Sequence, residues 1–151
     1  MRTKQLFAVI ATVAFAGGAF AADSATVDVS ATVVGVCKYS TNTGSVSFTL
    51  DPSVGGPVNG TLSQPAFWCT KGTGYTITDD NGLNESGTTH RMKHATAAEY
   101  IPYTFLYTAT GTGTGKSTPI TMGITASVAE TDYIDKSEGS YVDTVTLSIT
   151  P

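Results

Sequence analysis

Charge is scarce in this chain. Only 13% of its 151 residues are Asp, Glu, Lys or Arg, about half the roughly 25% of an ordinary soluble domain. The balance is acidic, 12 against 8, for a net charge of -4. Such a surface offers little attraction to a phosphate backbone, which argues against a nucleic-acid partner. Histidine and cysteine each occur only twice and tryptophan once, so few groups are present for metal or nucleophilic chemistry. No apolar run after the first residues reaches the ~20 positions a bilayer-spanning helix needs, and no membrane span is expected. The 40% of apolar residues still suffices for a buried core, which excludes a disordered chain.

The segments that look chemical each lack a required residue. Gly115-Lys116-Ser117 would close a phosphate-cradling loop, but Thr110 stands where the first glycine belongs and strand patterns lie on both sides. His90 and His94 have zinc-protease spacing, yet Arg91 replaces the general-base Glu, so a solvated strand end or loop is expected. Asp79-Asp80-Asn81-Gly82 resembles part of a calcium loop, but Ile77 and Thr88 occupy the first and last ligand positions; a tight turn is the better reading. No serine, cysteine or carboxylate pair has a partner at catalytic spacing. The expectation is a protein that is not an enzyme and takes no cofactor and no metal.

Residues 1–21 carry the marks of a secretory signal. A short basic start at Arg2 and Lys4 precedes an apolar run from Leu6 to Phe15, and Ala19-Phe20-Ala21 is a small-x-small cleavage site, placing the cut between Ala21 and Ala22. Export gives Cys37 and Cys69 a meaning, because an oxidising compartment favours a disulfide between the only two thiols; two free buried thiols are the alternative.

Beyond the signal, period-2 alternation dominates. Val27, Val29, Ala31 and Val33 alternate with Thr26, Asp28, Ser30 and Thr32. Val46, Phe48 and Leu50 follow the same rule, as do Tyr75 and Ile77, Tyr103 to Tyr107, Ile120 to Val128, and Val145, Leu147 and Ile149. Asp51-Pro52, Gly55-Gly56-Pro57, Asn59-Gly60, Asn81-Gly82 and the Gly111–Gly115 run supply turns at spacings suited to short antiparallel strands. Only Lys93 to Tyr100 has helical character. The expected fold is an all-β sandwich with one face of each sheet buried.

Two segments bear on function. Ala25–Val34 is a strand-like stretch with a clean apolar face, placed just after the cleavage site. It could be the first strand of the chain's own sandwich, or it could pair with anything within reach. At the other end, the run from Gly139 to Pro151 stops where the chain stops, so its open edge is expected to lack a covering strand, and an exposed apolar edge must be managed somehow.

Cys37, Phe67-Trp68-Cys69-Thr70-Lys71-Gly72-Thr73-Gly74-Tyr75-Thr76-Ile77, Arg91-Met92, Tyr103-Thr104-Phe105-Leu106-Tyr107 and Gly139-Ser140-Tyr141-Val142-Asp143-Thr144-Val145 together resemble the spore coat protein U domain family, which includes secreted pilus subunits of the archaic chaperone–usher type. The resemblance covers nearly all residues after the signal, although Thr108–Thr118 lacks a tryptophan-glycine often seen there. It implies an immunoglobulin-like β-sandwich lacking its final strand, completed by a donor strand from a neighbouring subunit. Residues 22–34 would be the donor extension and 35–151 the pilin domain. Val27, Val29, Ala31 and Val33 would be the donor side chains, Val145, Leu147 and Ile149 would line the acceptor groove, and Cys37–Cys69 would pin the first strand to the second.

The implied partners are identical subunits in a homopolymer, a periplasmic chaperone, an outer-membrane usher and a tip adhesin. The implied location is an extracellular fimbrium of a Gram-negative bacterium, reached through the periplasm, with adhesion and biofilm formation as properties of the fibre. A tip adhesin of such a system carries a second domain, so a chain of this length reads as a shaft subunit. The alternatives are a monomeric secreted carbohydrate-binding β-sandwich, with Trp68 and the tyrosines stacking on sugar, and a spore or cyst coat structural protein.

Overall fold

Threonine, serine and β-branched residues dominate the alternating stretches, and most of these stretches fold as strands because such side chains pack well on a pleated, half-buried surface. The computed structural model describes residues 22–151; the expected signal segment, with Ala21 of its expected cleavage site, lies outside them. The strands are β1 (Cys37–Thr41), β2 (Ser45–Ser47), β3 (Val58–Asn59), β4 (Thr61–Ser63), β5 (Ala66–Cys69), β6 (Gly74–Asp79), β7 (Arg91–His94), β8 (Tyr100–Pro102), β9 (Thr104–Leu106), β10 (Thr110–Thr112), β11 (Ile120–Thr121), β12 (Thr125–Val128), β13 (Tyr141–Val142) and β14 (Leu147–Thr150). A single helical turn, α1 (Glu130–Tyr133), lies between β12 and β13.

Pairing is antiparallel throughout, in the orders β1-β5-β11, β10-β6-β14, β3-β12-β9, β13-β7-β8 and β2-β4, and none of these sheets closes on itself. This is the open all-β arrangement expected from the alternation. Cys37 and Cys69 lie opposite one another in the β1–β5 ladder and are joined by a disulfide. Thr70 reinforces the junction. Its hydroxyl donates to the Val34 carbonyl (3.0 Å) and accepts from the Val36 N–H (3.1 Å), while its own N–H bonds the Val36 carbonyl (2.9 Å).

Two apolar clusters form the core. Phe67, Cys69, Tyr75, Ile77, Met122 and Ile124 make the first, and Ile101, Val128 and Tyr133 make the second. Burial of each large side chain contributes about 1.5–3 kcal/mol. Around both clusters lies a ring of only half-buried apolar residues, including Tyr39, Leu62, Phe105 and Leu147 on the first and Phe48, Leu50, Met92, Tyr103 and Tyr141 on the second. The core is therefore uncovered along one side.

Several expectations are corrected. Lys93–Tyr100 is not helical; it belongs to a β7–β8 hairpin in which Lys93 opposes Tyr100. Pairing on both sides of β7 outweighs the weak helical preference of eight residues. Ile120–Val128 is not one strand but two, broken at Gly123, whose φ is +65°. The break moves the chain from the β5 sheet to the β9 sheet and keeps both Met122 and Ile124 buried.

His90 and His94 are not solvated; they are 9% and 8% exposed. His90 Nε2 lies 2.7 Å from Asp79 Oδ2. His94 Nδ1 accepts from the main-chain N–H groups of Thr96 (3.1 Å) and Ala97 (2.9 Å), which leaves Nε2–H to donate to the Glu138 carbonyl (3.1 Å). The His94 imidazole holds the loops after β7 and before β13 onto β7, while His90, just ahead of β7, is tied to the end of β6.

The described part of the preceding segment, residues 22–32, has no secondary structure, and Val27 and Val29 are 81% and 90% exposed. The expected strand at 25–34 does not form here. A strand is stabilised by its ladder, and alternation without a paired edge provides the pattern but not the hydrogen bonds.

Candidate functional site: an open edge above an apolar groove

The run from Tyr141 to Thr150 passes first along β7 as β13 and then along β6 as β14. Its alternation decides two things at once. Side chains at odd positions, Tyr141, Asp143, Val145, Leu147 and Ile149, are half-buried, while those at even positions are exposed. Main-chain groups at even positions point inward. The carbonyls of Ser140, Val142, Thr144 and Thr146 accept from Ala95 N (2.9 Å), Asn84 Nδ2 (3.2 Å), Leu83 N (3.1 Å) and Asp80 N (3.2 Å). The period of two then turns the N–H and C=O groups of Asp143, Val145 and Leu147 the other way, toward an edge that no strand covers among the described residues.

Beneath that edge lies a cavity of about 550 Å³, walled on one side by Asp143, Val145 and Leu147 and on the other by Val46 of β2 and the following Phe48. Its floor includes Met92, Tyr103, Phe105 and Ile124. A second cavity of about 490 Å³ continues it past Leu50 and Tyr133 and shares Val46, Phe48, Met92 and Tyr141. The uncovered ring around the two core clusters is thus one elongated groove, its apolar side chains interspersed with polar ones such as Asn42, Ser45 and Ser63.

Asp143 and Tyr103, two polar side chains in the groove, are already partnered. Asp143 Oδ2 accepts from the Tyr103 hydroxyl at 2.7 Å, and Oδ1 accepts from Asn84 N (3.2 Å) and Nδ2 (3.1 Å). Burial, followed by the Asp143 hydrogen bond and charge, pushes the Tyr103 phenol far above its ordinary pKa, so it remains a donor. Gly82 backs this contact, since any Cβ there would collide with the Asp143 carboxylate.

Two tyrosine hydroxyls mark the ends of the open Tyr141–Leu147 edge. At one end Tyr141 donates to Glu99 Oε2 (2.8 Å), and Glu99 also accepts from Ser137 N (3.1 Å) and Oγ (3.0 Å), contacts that lower the Glu99 pKa. At the other end Tyr39 donates to the Leu147 carbonyl (2.9 Å), and burial raises the Tyr39 phenol. No buried side-chain N or O lacks a partner among the described residues. What remains to be satisfied is apolar surface and main-chain hydrogen bonding, the two things an added β-strand supplies.

Of the residues singled out from sequence, Val145 and Leu147 lie on the cavity wall. Ile149 packs further along, against the first core cluster. Val27, Val29, Ala31 and Val33 are all exposed, and so is Ala22 beside the expected cleavage site. The opposite wall, Val46 and Phe48, went unassigned in the sequence reading although its alternation was visible there. Tyr39, Met92, Tyr103 and Asp143 were missed because nothing local marks them as groove residues. Trp68 is half-buried on β5, with the Lys116 ammonium 5.8 Å from its ring centroid.

Residues 23–148 match the Spore Coat Protein U domain family. Among solved structures, the chain is similar to one in the crystal structure of the CsuC–CsuE chaperone–tip adhesion subunit pre-assembly complex, from archaic chaperone–usher Csu pili of Acinetobacter baumannii. That similarity has a TM-score of 0.48 at 22% identity and covers 78% of this chain but only 40% of the other. No curated protein matches the chain significantly.

Proposed function

The chain belongs to the Spore Coat Protein U domain family, and from that premise we propose that it is a pilus shaft subunit that polymerises head-to-tail, each copy lending residues 25–34 to the groove of the next. The observation that carries this reading is the open edge of Asp143–Leu147 above an unfilled apolar groove. Val27, Val29, Ala31 and Val33 supply an apolar face with the right period for its pockets, and Thr26, Asp28, Ser30 and Thr32 keep the outer face wet. A donor segment and an acceptor groove at different places on identical subunits make a heterologous contact, which propagates as a fibre.

In this reading residues 1–21 direct export and are removed. A periplasmic chaperone first covers the groove, and an outer-membrane usher exchanges the chaperone's strand for that of the next subunit. The fibre reaches the cell surface, where a tip adhesin caps it and the assembly supports adhesion and biofilm formation. The role is structural and non-enzymatic, and the Cys37–Cys69 disulfide braces the acceptor domain directly after the donor segment.

The test is an unheated denaturing gel of the chain beside a variant lacking residues 22–34. The expected result is a ladder that collapses on boiling and is missing from the deletion. A single monomer band from a well-folded full chain would overturn the reading in favour of a monomeric binding module.

A further inference from the structure

Tyr39 occupies an unusual place. It sits on β1, outside the Tyr141–Thr150 run, yet its hydroxyl is bonded to the carbonyl of Leu147 at 2.9 Å. That carbonyl belongs to the set turned toward the open edge, as the pairing of Ser148 with Thr78 and Thr150 with Thr76 and the inward bonds of Thr144 and Thr146 require. Along the groove, Asp143 and Val145 offer their outward main-chain groups to an incoming strand. At Leu147 the carbonyl is already taken by a side chain whose ring stands edge-on to Phe67, with centroids 6.5 Å apart.

We propose that Tyr39 is the register stop of this groove: it claims the Leu147 carbonyl, ahead of the outward-facing groups of Ile149, so that an incoming strand pairs from the Tyr141 end and finishes against the Tyr39 ring. The inference rests on the strand-accepting reading above and adds a residue that fixes where the strand must lie. Lengths agree with it. The stretch from Tyr141, anchored on Glu99, to Leu147, held by Tyr39, is six residue steps, or about 20 Å at ~3.3 Å per residue. The four alternating side chains from Val27 to Val33 also span six steps. A strand slipped by two residues toward Tyr39 would bring an N–H into competition with the Tyr39 hydroxyl for the Leu147 carbonyl and would lose one apolar side chain from the opposite end of the edge. A fixed stop therefore turns a repetitive Val-x-Val-x pattern, which is weak at specifying register, into a single alignment.

The test is hydrogen exchange on polymers of the full chain, comparing the native sequence with Tyr39→Phe, which keeps the ring and removes only the hydroxyl. The freed Leu147 carbonyl should protect one further main-chain amide at one end of the 25–34 segment, and polymers should dissociate in detergent about two- to tenfold more slowly, the effect of one net hydrogen bond. Tyr107→Phe, which removes a hydroxyl bonded to Asp79 rather than to the open edge, should change neither readout. Equal protection in native and Tyr39→Phe polymers overturns the register stop while leaving strand acceptance standing. An unprotected 25–34 segment in native polymers overturns strand acceptance and the stop with it.

Discussion

Substituting Val29 with serine separates the strand-lending reading from its simplest rival, in which residues 25–34 serve their own subunit. Val29 is 90% exposed, so its removal should leave the stability of a subunit dispersed to monomer within ~0.5 kcal/mol of native. On the strand-lending reading, the same side chain fills a pocket of the next subunit in the polymer. Full burial of a valine contributes about 1.5–3 kcal/mol, and serine keeps only the β-carbon, so each junction should weaken by about 1.5–2 kcal/mol. That corresponds to roughly 10–30-fold in the junction's dissociation constant. Polymer length on unheated gels against protein concentration reads the junction, and a urea melt of the dispersed monomer reads the subunit. A shifted urea midpoint with unchanged polymers would place Val29 within its own subunit and refute the reasoning. Val29→Asp should be more disruptive, because an unpaired carboxylate must also be desolvated.

Two further outcomes follow from the same geometry. Replacing both Cys37 and Cys69 with alanine removes a crosslink between residues 32 apart and should cost about 3–4 kcal/mol by chain entropy, read as a fall in urea midpoint with a somewhat steeper slope, because the uncrosslinked unfolded chain exposes more surface; an unchanged midpoint would mean that the β1–β5 ladder and the Thr70 bonds alone fix this junction. Acid should loosen the domain. The Glu99 pKa is lowered chiefly by its hydrogen bond from Ser137 N, and that of Asp80 chiefly by its bond from Thr146 N. A depressed folded pKa contributes stability that is present above the unfolded value and lost as pH falls through the folded one. Thermal midpoints should therefore decline below the usual carboxylate range, and less steeply in Glu99→Gln; a slope identical to native would show that the Glu99 contacts do not favour its charged form.

Much of this protein could be read before any fold was known. Val46-x-Phe48-x-Leu50 and Val145-x-Leu147-x-Ile149 announce half-buried faces because a period of two has no other common cause, and two cysteines behind an expected export signal announce a crosslink. The lone Ala25–Val34 stretch with its apolar face is equally legible, since an apolar face implies something to bury it. Tertiary structure was needed wherever two distant segments meet. His90 and His94 looked solvated beside Arg91 and Lys93, yet they are buried by partners 11 and 44 residues away, Asp79 and Glu138. Lys93–Tyr100 looked helical until β7 found strands on both sides. The groove is the plainest case. Its walls come from Val46 and Val145, and its floor from Met92, Tyr103 and Ile124. Alternation states that each of these faces a core, but only their assembly shows that one side of that core is left uncovered, because closure depends on how many strands are present and not on the pattern within any one of them.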